Sequence, residues 1–307
     1  MSAASETAPY EGMPFDPMAP LTPSGNLRRR AAVSRLVQVT ATAAAAFAIV
    51  VLVIVCVGVA TRGAAALSFG FVVGNPQGLV SGGIFNSLLG TLELVAFGAL
   101  IALPLGVMTG LYLTEFAGPR SRTASLLKTA LDVMAGLPTI VVGLFVYGLI
   151  VIPQHKESGF AGGIALAIVM LPLMARSSQE VLLLVPNSLR EAADALGVSR
   201  WRTVLSVILP AAVGGILTGA ILATARATGE TAPLLICNSL FNPDSTALNL
   251  SHGVPSVSMF IYTSFDLPIP EAVTRAWGAA FVLMVLILIA NVGARLLLAR
   301  SRAKMAG

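Results

Sequence analysis

Residues 36–61 read LVQVTATAAAAFAIVVLVIVCVGVAT, a run with no Asp, Glu, Lys or Arg. About 20 apolar residues carry a helix across the hydrocarbon core of a bilayer, so this run has the length and polarity of a transmembrane segment. Five more runs free of the same four residues follow, at 94–114, 133–154, 158–175, 203–225 and 276–294. Composition agrees: 56% of the 307 residues are hydrophobic and 11% are charged, against roughly a quarter charged in a soluble domain. Hydrocarbon leaves backbone N–H and C=O groups no partner outside the chain, so unbroken apolar runs of this length must be helices. The period-two alternation of a membrane barrel is absent. The fold class predicted is all-α integral membrane, with six transmembrane helices.

Charge supplies the orientation. Basic residues collect before span 1 (Arg28, Arg29, Arg30, Arg35), between spans 2 and 3 (Arg120, Arg122, Lys128), between spans 4 and 5 (Arg176, Arg190, Arg200, Arg202) and after span 6 (Arg295, Arg300, Arg302, Lys304). All but four of the 19 basic residues thus fall on alternate loops, and positive charge marks the cytoplasmic side. Both termini are predicted to be cytoplasmic in a multi-pass protein of the plasma membrane. A net charge of +5 is explained by this bias, with no nucleic-acid partner required. Residues 1–30, rich in Pro, Ser and Ala, read as a disordered cytoplasmic tail, 31–62 as the first transmembrane helix, and 297–307 as a basic cytoplasmic tail. Cys56 lies inside the first run and reads as a small buried hydrophobe. Lys128 and Asp132, four residues apart, are expected to pair locally. Pro104 and Pro138 read as helix bends.

The segment between spans 4 and 5, residues 186–210, reads PNSLREAADALGVSRWRTVLSVILP. Ser188 and Glu191 have capping-box spacing. Leu189, Ala192, Ala193 and Leu196 recur at helical period as a narrow apolar stripe. Gly197 is placed for a left-handed cap, and Ser199 for the N-cap of the next helix. Such a short helix either docks its small side chains into a partner's groove or lies on lipid; the pattern alone leaves both readings open.

The order Glu191-Ala192-Ala193, three residues, Gly197, nine residues, Val207-Ile208-Leu209-Pro210 resembles the EAA loop of the permeases of binding-protein-dependent ABC importers, with Val207 where Ile is usual. The resemblance implies a coupling helix seated in a cleft of a cytoplasmic ATPase, with Glu191, Ala192, Ala193 and Gly197 at the contact. It also implies a type I ABC importer permease core made of spans 2–6, in a domain over 85–296 with its coupling loop at 187–210. Span 1 is then an extra N-terminal helix. A second homologous permease subunit, two copies of the ATPase and an extracytoplasmic binding protein complete such a system.

Residues 223–235, ATARATGETAPLL, place Arg226 and Glu230 four apart at the outer end of span 5. Charge in or near a bilayer is expensive and marks function by default. The planar guanidinium fork suits an oxyanion, and Glu230 is placed to neutralise it while the pathway is empty; an ion pair that only holds the helix end fits the same spacing. This stretch, with 86–115 and the GLPTIVVGL of 136–144, resembles the A-type permeases of phosphate-specific ABC importers. Arg226, Glu230 and Thr231 are thereby expected to line the pathway of phosphate. A permease for another oxyanion, sulfate or molybdate, is the nearest alternative. An ion-coupled secondary transporter or channel is the rival from another class, and no inverted repeat supports it. The chain has no G-x-x-x-x-G-K-[ST] loop, no G-x-S-x-G and no H-E-x-x-H, so ATP would be hydrolysed by a separate subunit. Two cysteines and two distant histidines suggest no metal site, and no cofactor is expected. The six-span topology predicts that a cysteine placed at Ser199 is labelled by an impermeant maleimide only from the cytoplasmic side, and one at Ser245 only from outside; reversed labelling at either site refutes it.

Overall fold

The structure is a computed structural model that describes residues 25–77, 80–118, 120–238 and 249–305. These residues form eleven helices and no strand; an isolated bridge joins Pro76 and Gly82. The chain divides into two compact units, 1–56 and 57–307. The first unit holds most of α1, Gly25–Gly63. Helix therefore begins within the expected tail, and residues 1–24 lie outside the described residues. From Val37 to Val55 its apolar side chains are exposed, as suits a helix in lipid rather than in water. Cys56 is half-buried, less enclosed than expected.

In the second unit follow α2 (Phe69–Val73), α3 (Phe85–Phe116), α4 (Arg122–Gly136) and α5 (Thr139–Gln154), α6 (Gly159–Leu183), α7 (Asn187–Ala195), α8 (Arg200–Thr228), α9 (Ala232–Cys237), α10 (Val257–Asp266) and α11 (Pro270–Met305). The stretch expected as a basic tail is thus helical up to Met305. Residues 239–248, including Ser245, lie outside the described residues. Ser68, Ser158 and Ser256 cap α2, α6 and α10 through their hydroxyls, satisfying N–H groups that a first helical turn leaves open.

Among the described residues, five helices are long and apolar enough to cross a membrane, α1, α3, α6, α8 and α11, and α4 with α5 form a pair bent by 104°. The run expected as one straight span from 133 therefore breaks at Leu137 and Pro138. Proline has no N–H to donate and disfavours helix at the residue before it, so Pro138 does more than bend: it ends one helix and starts the next. Packing shows that the pair makes one crossing. A Cβ on Gly98 would meet Leu166, one on Gly106 would meet Met174, and one on Gly110 would meet Ser178. This constant offset means that α3 and α6 run in the same direction, so the chain between them must return across the layer. Conversely, Gly215 faces Val181 and Gly219 faces Ser177, which makes α8 antiparallel to α6.

Small residues set these approaches. Gly98, Ala102, Gly106 and Gly110 recur every four residues along one side of α3, the spacing that lets membrane helices pack backbone to backbone. Ala102, Ala167, Met170, Met174, Ala220, Ala223 and Ala227 form the central cluster of α3, α6 and α8. A second cluster around Leu111, Leu182, Val204 and Ile208 fills the end of the bundle next to α7. At the opposite end the Arg275 guanidinium lies 5.7 and 5.8 Å from the rings of Phe71 and Phe260, within cation–π range. A Cβ on Gly106 would sit 2.5 Å from the Met174 Cβ. Gly106→Leu is expected to force α3 and α6 apart at a cost of about 1–3 kcal/mol or more and to cut accumulation in membranes. Met108→Leu, on the exposed side of the same helix, leaves accumulation unchanged; quantitative immunoblots of membrane fractions check both.

Candidate functional site

Helix α7 is held at both ends by local chemistry. Pro186 occupies its N-cap position, and no side chain caps it. The expected Ser188–Glu191 capping box does not form, because helix starts at Asn187 and so places Ser188 inside the first turn. At the other end Gly197 has φ +68°. The Val198 N–H donates to the Ala193 carbonyl and the Gly197 N–H to Asp194, both at 3.0 Å, a paired closure that a left-handed glycine permits. Of the expected stripe only Ala193 is buried; Leu189, Ala192 and Leu196 face outward, Leu196 at 81% exposure. Glu191 is exposed as well. With Leu183, Leu184 and Trp201, also exposed, they form an apolar rim around a short helix.

What anchors α7 is an ion pair that the sequence did not disclose. Glu115 ends α3 in a π turn, Tyr112–Phe116, and is 2% exposed. Arg190, in α7, donates from Nη2 to Glu115 Oε1 at 2.7 Å and from Nε to Oε1 and Oε2 at 3.2 and 3.3 Å. Its Nη1 donates to the Val185 carbonyl at 2.7 Å and Asn187 Oδ1 at 3.1 Å, and Nη2 also to the Leu182 carbonyl at 3.0 Å. One guanidinium thus joins the end of α3, the carbonyls left open at the end of α6 and the first turn of α7. An acid closing an otherwise chargeless run was visible in the sequence; a partner 75 positions away was not.

The second arrangement is built from two broken helices. Helix α8 ends at Thr228, and α9 begins at Ala232 with Pro233 in its first turn. Glu230 therefore lies in the break, past the helix end, instead of on the same continuous face as Arg226. Its Oε1 is 3.7 Å from Arg226 Nε, with the side chains 16% and 62% exposed respectively. The Glu230 carbonyl accepts from Ser258 Oγ at 3.1 Å, which ties the break to the start of α10. Thr231 occupies the N-cap of α9 without a side-chain cap, and its carbonyl accepts from Leu235. The α6–α8 register puts Arg226 beside Met170, near the middle of α6, so it is not at the outer end of a span as expected. The other break, at Leu137 and Pro138, reaches the same place. Leu137, Thr139, Arg176 and Arg226 line one cavity of about 130 Å³ together with Met134 and Leu173. Helices α5 and α9 pack directly: a Cβ on Gly143 would meet Pro233 at 2.8 Å, and Cys237 Sγ donates to the Gly143 carbonyl at 3.2 Å. Asp132 takes its hydrogen bond from Arg176 Nη2, across from α6. This cross-helix pair replaces the expected local one with Lys128, and it removes Arg176 from the loop charges, since Arg176 is within α6. Non-helical backbone inside a membrane protein survives only where it lines a cavity or is enclosed by protein. A helix break that shares a cavity with two guanidinium groups marks a place where an anion can be held.

Comparison with known proteins agrees. Residues 102–303 match the family model of the binding-protein-dependent transport system inner membrane component. The chain belongs to this family. It is 38% identical over 237 residues to the phosphate transport system permease protein PstA of Haemophilus influenzae, covering 77% of this chain and 83% of that protein. It is 39% identical over 220 residues to phosphate transport system permease protein PstA 1 of Mycobacterium tuberculosis, 71% of each. Among solved structures, a chain of the bacterial alginate ABC transporter in complex with its periplasmic protein shares the fold, with TM-score 0.60 and 13% identity over 87% of this chain and 95% of that one. The permease is thus an integral membrane component with the type I importer arrangement, and its spans 2–6 are α3, α4–α5, α6, α8 and α11. Removing one member of the Arg190–Glu115 pair strands the other. Arg190→Met is expected to destabilise the permease by about 3–5 kcal/mol, whereas Arg190→Met with Glu115→Leu recovers most of the loss, as read by thermal unfolding in detergent.

Proposed function

We propose that this permease is one transmembrane subunit of an ATP-driven importer that moves inorganic phosphate into the cell. The observation that carries the proposal is the cavity where the helix break at Leu137 meets Arg226, in a chain 38% identical to a protein named for phosphate transport. The guanidinium offers a planar pair of N–H donors that matches two oxygens of a tetrahedral oxyanion. Helix α5 starts at the cavity wall, and the open N–H groups and dipole of a helix start add positive potential there. Glu230 balances Arg226 in the empty state, and Thr231 follows it in the chain at the N-cap of α9. A phosphate that displaces Glu230 from Arg226 exchanges one anion for another, so the charge in the cavity never stands unpaired.

Orientation and partners complete the reading. The α7 end carries the basic loops and is assigned to the cytoplasm with both termini. Two copies of an ATPase bind there, one of them against Glu191, Ala192 and the exposed rim of α7, with Ala193 and Gly197 shaping that helix. A second, homologous permease covers the open side of the cavity, and an extracytoplasmic phosphate-binding protein delivers the anion. ATP binding favours the state in which the ATPases are closed, and the pathway follows because each ligand shifts the population toward the state it binds better.

The Arg226–Glu230 pair separates a pathway role from a structural one. With protein levels matched, Arg226→Ala and Arg226→Lys are both expected to abolish or severely reduce phosphate uptake, Lys because it keeps the charge and loses the fork. Arg226→Ala with Glu230→Ala is expected to be as inactive as Arg226→Ala alone. A double variant that transports well would show that the single change harms only by orphaning Glu230, and would refute the anion role.

A further inference from the structure

We infer that Arg176 and Asp132 form a second anion station, through which phosphate passes on the cytoplasmic side of Arg226. The inference rests on the import reading above and adds a residue pair to it. Arg176 and Arg226 come from different helices, α6 and α8, yet line one cavity with Thr139 at the start of α5. Because Gly219 faces Ser177 in the antiparallel α6–α8 register, Arg176 lies about six residues, or about 9 Å, nearer the α7 end than Arg226.

Each guanidinium has one carboxylate of its own. Glu230 Oε1 stands 3.7 Å from Arg226 Nε, and Asp132 accepts a hydrogen bond from Arg176 Nη2. The empty set is therefore neutral, with two cations and two anions. An arriving oxyanion is held only where a carboxylate gives up its arginine, and it can leave the first guanidinium for the second without crossing an uncharged gap. The side chains of the inner pair are 36% and 67% exposed in the single chain, so an anion can reach them. The buried pair in the same bundle, Arg190 with Glu115, shows the contrast: Arg190 also bonds to three other acceptors, whereas among the described residues the Arg176 guanidinium has Asp132 as its one hydrogen-bond partner. Asp132 is also the last charged residue of α4 before the break at Leu137 and Pro138, so a change in the 104° bend moves it relative to Arg176 and opens or closes the inner station.

The test uses the full importer in liposomes with the phosphate-loaded binding protein, and measures phosphate uptake and ATP hydrolysis on the same preparation. Arg176→Met is expected to lower uptake about tenfold or more, the scale of one charge-assisted hydrogen bond, while hydrolysis stimulated by the loaded binding protein persists. Arg176→Met with Asp132→Leu, which removes both charges, is expected to stay low in uptake. Wild-type uptake in Arg176→Met, recovery in the double variant, or an equal fall of uptake and hydrolysis overturns the inference and leaves the pair as structure. If Arg176→Met does not assemble, Arg176→Lys keeps the ion pair and carries the test: uptake below wild type in matched complexes supports the station, and wild-type uptake overturns it. A wild-type importer that carries another oxyanion instead of phosphate refutes the substrate reading alone, and the same variants are then scored on that anion.

Discussion

A backbone inside hydrocarbon has nowhere to send an unpaired N–H or C=O except into the protein itself. Everything distinctive in this permease follows from where it meets that constraint by helix and where it departs from it. Helices α3, α6 and α8 obey it without a break and pack through glycine and alanine, since lipid gives apolar side chains no reason to prefer each other over lipid tails. The departures, at Leu137 and Pro138 and again at residues 229–231, are placed together. Their backbone groups find partners within the protein, the Leu137 N–H on Val133, the Glu230 N–H on Ala227 and the Glu230 carbonyl on Ser258, and α5 and α9 pack on one another through Gly143 and Pro233.

The charges divide into two kinds by their surroundings. Glu115 is enclosed, and Arg190 meets it with hydrogen bonds that also close the end of α6; such a pair holds three elements in one geometry, and either charge left alone is costly. The pairs at Arg226 and Arg176 are more exposed, and it is there that exchange of a carboxylate for a mobile anion is proposed.

Helix α7 connects the two kinds. Its start is tied by Arg190 to α3 and α6, and its end is closed by Gly197 in the left-handed conformation, so its exposed face is presented at a set angle. The Arg190–Glu115 pair links that helix to the end of α3. Helix α3 packs on α6 over four turns through Gly98, Ala102, Gly106 and Gly110, and α6 bears Arg176. A rigid chain of contacts therefore runs from the surface where an ATPase is proposed to bind to the wall of the cavity.

The sequence by itself determined the spans, their alternation and the left-handed turn at Gly197, because each depends on neighbours within one or two helical turns: charge-free runs, basic loops, a glycine after a periodic stripe. Tertiary structure alone decided what depends on distance in space. Asp132 had an acceptable partner four residues away in Lys128 and took Arg176 from another helix, because α4 turns at Pro138 and brings its last acid against α6. Arg226 was legible as a candidate functional charge, yet its position near the middle of the bundle was not, since only the break after Thr228 and the register with α6 set that depth. Arg190 read as a loop cation until packing enclosed Glu115 and aimed the guanidinium at it, and no local pattern encodes a partner 75 residues away.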